Sequence, residues 1–213
     1  MNKYTHLNLH SEYSIQDGLI RINDLAEKAS DLNFESLAIT DLSNLFGFIK
    51  FYKELRKKGI KPICGSDFLL LGENTNSGNL QLLVKNHKGY KNLIRLISKS
   101  HTTGKINGNP FLSVKDLEEY SEGLLLITGG IDSQIGQSIL AGKNDIALKQ
   151  IKYLKNLYKD NFFLQLTRTG KNQEELCNQS LIEFANELSI PLVATNQVRF
   201  LSKEDFEAHE TRV

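Results

Sequence analysis

The order in which the apolar stretches change period constrains this chain most. Seven short runs are each followed by a helical stripe, or by a turn and then a helical stripe. The runs are Thr5–Ser14, Ser36–Thr40, Lys61–Phe68, Leu80–Val84, Leu124–Thr128, Phe162–Thr167 and Pro191–Asn196. The first alternates, with Leu7 and Leu9 apolar and His6, Asn8 and His10 polar, which is the mark of a half-buried strand. The later runs are nearly continuous, as strands covered by helices should be. Between the runs the apolar spacing becomes three and four residues. Ile22–Asn33 places Ile22, Leu25, Ala26, Ala29 and Leu32 on one stripe, and Phe46–Lys58, Tyr90–His101, Ile135–Leu140, Ile146–Tyr158 and Glu174–Ser189 follow the same rule. Strict strand–helix alternation predicts an α/β fold with a parallel sheet, either doubly wound or closed into a barrel.

Punctuation supports these boundaries. Gly59 stops a helix, Pro62 opens a strand where a missing N–H is tolerated, and Gly72–Asn79 reads as a turn. A loop carrying Gly104, Gly108 and Pro110 leads to Ser113, an N-cap with Asp116 three residues on. Ser202-Lys-Glu-Asp205 is a capping box for a last helix that has only begun at Val213. No internal repeat or low-complexity linker divides the 213 residues. One domain is therefore expected over residues 1–201, with 202–213 as the start of a helix leading into a longer polypeptide.

Composition excludes several classes. Net charge is +1 and no block of five like charges occurs. The densest basic cluster, Lys53–Lys61, reads as the solvated face of a helix end, so a broad nucleic-acid surface is not expected and only a local contact stays open. Cys64 and Cys177 are far apart with no CxxC pair, which argues against structural zinc and for reduced, buried thiols. No apolar run approaches the roughly 18 residues of a membrane span, and the first residues lack an apolar signal core. A cytoplasmic location follows as the expectation. No GxGxxG or GxxxxGK[ST] motif follows a strand, so nucleotide-binding open sheets lose support.

In α/β folds chemistry collects at the C-terminal ends of the strands. Those ends carry Asn8 and His10, Asp41, Asp67, Asn86, Gly129-Gly130, Thr167-Arg168, and Asn196 through Arg199, with Asp17 in the first turn. A hydrolytic metal centre needs several imidazoles and carboxylates and an open position for water, roughly eight or nine ligands for a two- or three-metal site. This inventory falls short of that. His6 and His10 lie roughly 13 Å apart along an extended strand. His87, His101 and His209 fall in a loop and in helices and read as surface or structural residues. Ser11 reads as a turn residue, and Cys64 as a small buried apolar one. No nucleophile–base arrangement can be argued from spacing.

Eight stretches in order carry a family resemblance: THLNLHSEYSIQDGL, LAITDLSNLFGFIKFYKEL, GIKPICGSDF, GYKNLIRLISKS, EGLLLITGG, FFLQLTRTGKNQEE, PLVATNQVRF and DFEAHETRV. Together they resemble the polymerase-and-histidinol-phosphatase (PHP) domain at the N-terminus of bacterial DNA polymerase III alpha subunits, over essentially the whole chain. The resemblance implies a distorted seven-stranded (β/α)7 barrel. Active members hold a cluster of metal ions, often zinc or manganese, and hydrolyse phosphoesters, in some polymerases as a 3′–5′ exonuclease. Degenerate members serve as a scaffold, and proofreading belongs to an epsilon subunit that docks on the domain.

This sequence departs from the active pattern at most ligand positions. The first His-x-His is Asn8-Leu9-His10, the Asp-His is Asp41-Leu42, a glutamate is Asp67, and a histidine is Asn79. A cysteine is Gly130, a later histidine is Thr169, and the last Asp-x-His is Gln197-Val198-Arg199. The resemblance thus implies a vestigial metal pocket of His10, Asp17, Asp41, Asp67 and Arg199. Arg199 is expected to pair with one or more of the three carboxylates in the metal's electrostatic place. It implies no catalytic residue, no complete metal site and no cofactor in this domain, with Mg2+ serving the full-length polymerase. Implied partners are the epsilon subunit, the rest of the alpha subunit, and DNA through the full-length protein, with no membrane. The alternative is a metal-dependent exonuclease or phosphoesterase with a reduced site. A free-standing histidinol-phosphatase-like enzyme is opposed by GYKNLIRLISKS and ATNQVRF.

Overall fold

The computed structural model describes residues 4–72 and 77–212, so the middle of the Gly72–Asn79 turn and Val213 lie outside the described residues. By its contacts the chain divides into two compact units, Met1–Ser66 with Asn196–Val213, and Asp67–Thr195. Among the described residues there are ten strands and eight α-helices, and no helix is long and apolar enough to cross a membrane.

The first unit begins with β1 (Asn8–Leu9), α1 (Ile22–Asp31), β2 (Ser36–Ile39) and α2 (Phe48–Lys57), and ends with β10 (Gln197–Val198), a 3-10 turn at Lys203–Asp205 and α8 (Phe206–Arg212). β1 pairs in parallel with β10, Asn8 opposite Gln197 and Leu9 opposite Val198. β2 pairs in parallel with the start of β3 (Lys61–Leu71), Ser36 opposite Lys61 through Ile39 opposite Cys64. The stripe read from the sequence forms the core here except at Leu32, which caps the end of α1 and is exposed. Ile22, Leu25, Ala26 and Ala29 of α1 and Phe51 and Leu55 of α2 are buried in one cluster with Leu9, Leu37 and Ile39. Each fully buried large apolar side chain of this set stabilises the unit by about 1.5–3 kcal/mol. α1 is followed by Asn33 and α2 by Gly59, both at positive φ, where asparagine and glycine are tolerated best. The capping box of Ser202 and Asp205 is present and opens the last helical segment.

In the second unit the strand order is β5-β6-β3-β4-β7-β8-β9. β4 (Ser77–Val84) runs antiparallel to β7 (Leu124–Thr128), whereas β7, β8 (Phe162–Leu166) and β9 (Leu192–Ala194) are parallel to one another. The sheet is therefore mixed, not wholly parallel. The reason is local: only five residues separate β3 from β4, too few for a crossover that would bring β4 back in the same sense. The remaining strands, β5 (Lys105–Ile106) and β6 (Asn109–Leu112), form a hairpin in the stretch expected to be a loop. Helices α3 (His87–His101), α4 (Val114–Tyr120), α5 (Gln134–Leu140), α6 (Asn144–Tyr158) and α7 (Glu174–Leu188) complete the unit. Ser113 and Asp116 form the expected capping box of α4. In α7, Leu176 points outward at 55% exposure, although a helical apolar stripe over Glu174–Ser189 would turn its leucines inward, while Cys177, Leu181, Phe184 and Ala185 are buried.

Candidate functional site

The β1–β10 pairing places residue 10 beside residue 199. Beyond the two-residue ladder, the His10 N–H donates to the Val198 carbonyl at 3.0 Å. The chain then turns sharply. The Ser14 carbonyl accepts from the N–H groups of Asp17 and Gly18, and Ser11 bridges in parallel to Ile20. A Cβ on Gly18 would lie 1.9 Å from the Ser11 carbonyl oxygen, so only glycine closes this turn without displacing backbone. The Leu19 N–H then donates to the Arg199 carbonyl at 3.0 Å. This loop returns the Asp17 side chain to the end of β1.

Three of the candidate residues meet there. His10 Nδ1 lies 2.7 and 2.9 Å from the two carboxylate oxygens of Asp17, and since the carboxylate accepts only, the ring donates through Nδ1–H. Arg199 donates from Nε to Asp17 Oδ2 at 2.8 Å, and from Nη1 to Asn8 Oδ1 at 3.0 Å and to its neighbour's carbonyl, Val198 O, at 3.2 Å. Burial pushes the Asp17 carboxyl up, but the hydrogen bonds and charges of His10 and Arg199 outweigh it and hold the group below the usual aspartate range. The Arg199 side chain is largely covered, so this ion pair is screened less than a surface one.

Asp41 is not part of that triad. It is buried and accepts from the Ser11 N–H, Ser11 Oγ and Ser14 Oγ, each at 2.7 Å. Its carboxylate thereby ties the loop after β1 to the loop after β2. Asp67 belongs to the second unit, where it accepts from Gln81 Nε2 at 2.9 Å. His6 lies away from the site, its ring against Tyr4 and Phe34 with centroids 4.8 and 5.3 Å away, and burial pushes its pKa down. His209 packs on Phe200, and His87 and His101 sit on α3. Cys64 is buried, which pushes its thiol up to about 12 and leaves it without thiolate character. Thr169 donates through both its N–H and its hydroxyl to Glu174, which also accepts from the N–H groups of Gly170 and Lys171.

Four participants were not foreseen from the sequence. Asn8 was read only as a lost ligand, yet it accepts from Arg199. Its place two residues before His10, on the same strand face, was the available signal. Ser11 and Ser14 as donors to Asp41, and Gln81 as donor to Asp67, had no signal in residue spacing.

The family model for the PHP domain matches residues 6–169. This chain belongs to the PHP domain family. Along 99% of its length it is 38% identical to the DNA polymerase III subunit alpha of Vibrio cholerae and 40% identical to that of Escherichia coli K12. It spans about a fifth of those relatives, 18% of each. Among solved structures, the PHP chain superposes with a TM-score of 0.63 on a Bifidobacterium adolescentis protein assigned as a metal-dependent phosphoesterase, at 10% identity over 100% of this chain and 97% of that one. An amidohydrolase from Chromobacterium violaceum gives 0.60 at 10% identity, over 98% of this chain and 96% of that one. At such identities the likeness is one of fold.

The metal-dependent members raise the question whether these side chains suit metal ions, and the donor set does not. The His10 nitrogen nearest the carboxylate is committed to Asp17, Asp41 already accepts from three donors, and a fixed guanidinium lies against Asp17. Among the described residues no three or more His, Cys, Asp or Glu side chains gather as metal ligands would. A cation arriving beside Asp17 would have to displace one already bonded there.

Proposed function

We propose that this chain is the N-terminal PHP part of the alpha subunit of a bacterial DNA polymerase III, working in the cytoplasm as a scaffold and not as a phosphoesterase. The identities of 37–40% along nearly all of the chain support the assignment to that subunit. The scaffold reading is carried by one observation, the Arg199–Asp17–His10 arrangement, in which a permanent side-chain cation neutralises a carboxylate that a metal ion would otherwise need. In this reading His10, Asp17, Asp41 and Asp67 descend from ligand positions, and Arg199 is the replacement cation for Asp17. Primer extension with Mg2+ belongs to other parts of such an alpha subunit, of whose relatives this chain spans 18%. The domain supports that core and docks the epsilon proofreading subunit.

Two measurements test this. Metal analysis of the purified chain, with a phosphoesterase assay in added Mn2+ or Zn2+, should show neither stoichiometric metal nor turnover. Stoichiometric metal with turnover abolished by His10→Ala would replace the scaffold by an active enzyme. Co-elution with purified epsilon subunit should be seen, and its failure would remove the docking role.

A further inference from the structure

The basic cluster read as a helix end has an unusual outer face. The inward stripe of α2, Phe51 and Leu55, is buried in the first unit's core. Its outward stripe is Ile49, Tyr52, Lys53 and Arg56, at spacings i, i+3, i+4 and i+7, and all four are exposed. A second row beside it runs Phe46, Lys50, Lys53 and Lys57, also exposed. Apolar and cationic side chains are thus interleaved instead of segregated. Phe46 is 75% exposed and Tyr52 47%, and the Tyr52 ring is supported from below by Phe48, centroids 6.2 Å apart. The charges are only partly answered locally. Lys57 pairs with Glu54 and Lys50 approaches Glu12 at 3.8 Å, while among the described residues no carboxylate pairs with Lys53 or Arg56.

Each feature narrows the occupant. Unanswered cations call for a polyanion and oppose a second copy of the same face. A membrane-surface helix needs its apolar residues gathered on one exposed side, and here that side is buried in the core. Aromatic rings set among cations suit a polyanion that also offers flat apolar faces. Single-stranded nucleic acid has both, phosphates for the cations and unstacked bases for the rings. A duplex keeps its bases stacked and leaves Phe46 and Tyr52 nothing to cover. We infer that the outer face of α2 binds single-stranded nucleic acid, with Lys53 and Arg56 on phosphates and Phe46 and Tyr52 stacking on bases. This stands on the face itself and not on the scaffold reading of the PHP site.

Fluorescence anisotropy of the full chain with a fluorescein-labelled oligo-dT of about 20 nucleotides tests it, the length exceeding the footprint of a typical single-strand module. Binding should weaken as salt rises. The double variant Lys53→Glu/Arg56→Glu should lose at least about tenfold in affinity, and its log–log salt slope should be shallower by about 0.7 per lost phosphate contact. Phe46→Ala and Tyr52→Ala should each lose about fivefold or more with the salt slope unchanged, the signature of stacking and not of charge. Lys152→Glu, on α6 of the other unit, should bind as the parent does, and circular dichroism should show each variant folded. The inference is overturned by no measurable binding at low salt, by aromatic variants that bind like the parent, or by a duplex that binds as tightly as the single strand. Displacement by poly-glutamate at equal charge concentration would overturn it in favour of an acidic protein partner.

Discussion

Arg199 engages three acceptors from one short side-chain fork: a carboxylate, an amide oxygen and a backbone carbonyl. Removing it strands Asp17 and Asn8 in a partly covered site. Arg199→Ala should therefore lower the unfolding free energy by about 1–3 kcal/mol in chemical denaturation. Arg199→Lys should recover only part of that, because an ammonium cannot span Asp17 and Asn8 in the same planar geometry. The Asp17 carboxyl titrates below its ordinary 3.8, so the folded state prefers it ionised. Its contribution is complete above the ordinary value and is lost as pH falls through the folded one. The stability gap between the parent chain and Asp17→Asn should thus be constant near neutrality and close below pH 4, measured by denaturation across an acid series. From the sequence, a cation among carboxylates was visible at Arg199. Its choice of Asp17 over Asp41 was not, because that depends on which carboxylate already accepts from other donors, and the two serines on Asp41 are thirty and twenty-seven residues away in the chain.

The loop from Ser11 to Ile20 is the element that makes the site. Its closure depends on Gly18 approaching the Ser11 carbonyl more closely than any Cβ permits. Gly18→Ala should cost about 1–3 kcal/mol, the usual range for forced overpacking. It should also move the His10 ring resonances in NMR, since the displaced backbone carries Asp17. Strands with continuous apolar runs, such as β7 and β8, were legible because burial on both faces leaves a compositional trace. The β5–β6 hairpin is hard to read although Asn107-Gly108 is a strong hairpin signal, because its strands are short, β5 is exposed and neither carries an apolar run. The antiparallel sense of β4 has a different origin. It lies in the short connection from β3, which leaves no room for a crossover, and not in the composition of β4 itself.

At the scale of the whole molecule, the proposed scaffold role carries a prediction about metal supply. Thermal unfolding should give the same midpoint with and without EDTA, whereas a chain held by metal ligation would lose stability on chelation. The two units also differ in how the chain builds them. The second is one continuous stretch, while the first needs both Asn8 and Arg199, 191 positions apart. A ribosome adding about 5–20 residues per second takes roughly 10–40 s to cover that distance. During that interval β1 is already made and β10 is not. The buried edge that β1 offers to β10 must wait exposed or sheltered by a chaperone, while the continuous unit is free to fold as soon as it emerges. Arg199 then serves as a clock hand as well as a cation, since its arrival marks the earliest moment at which the first unit can lock.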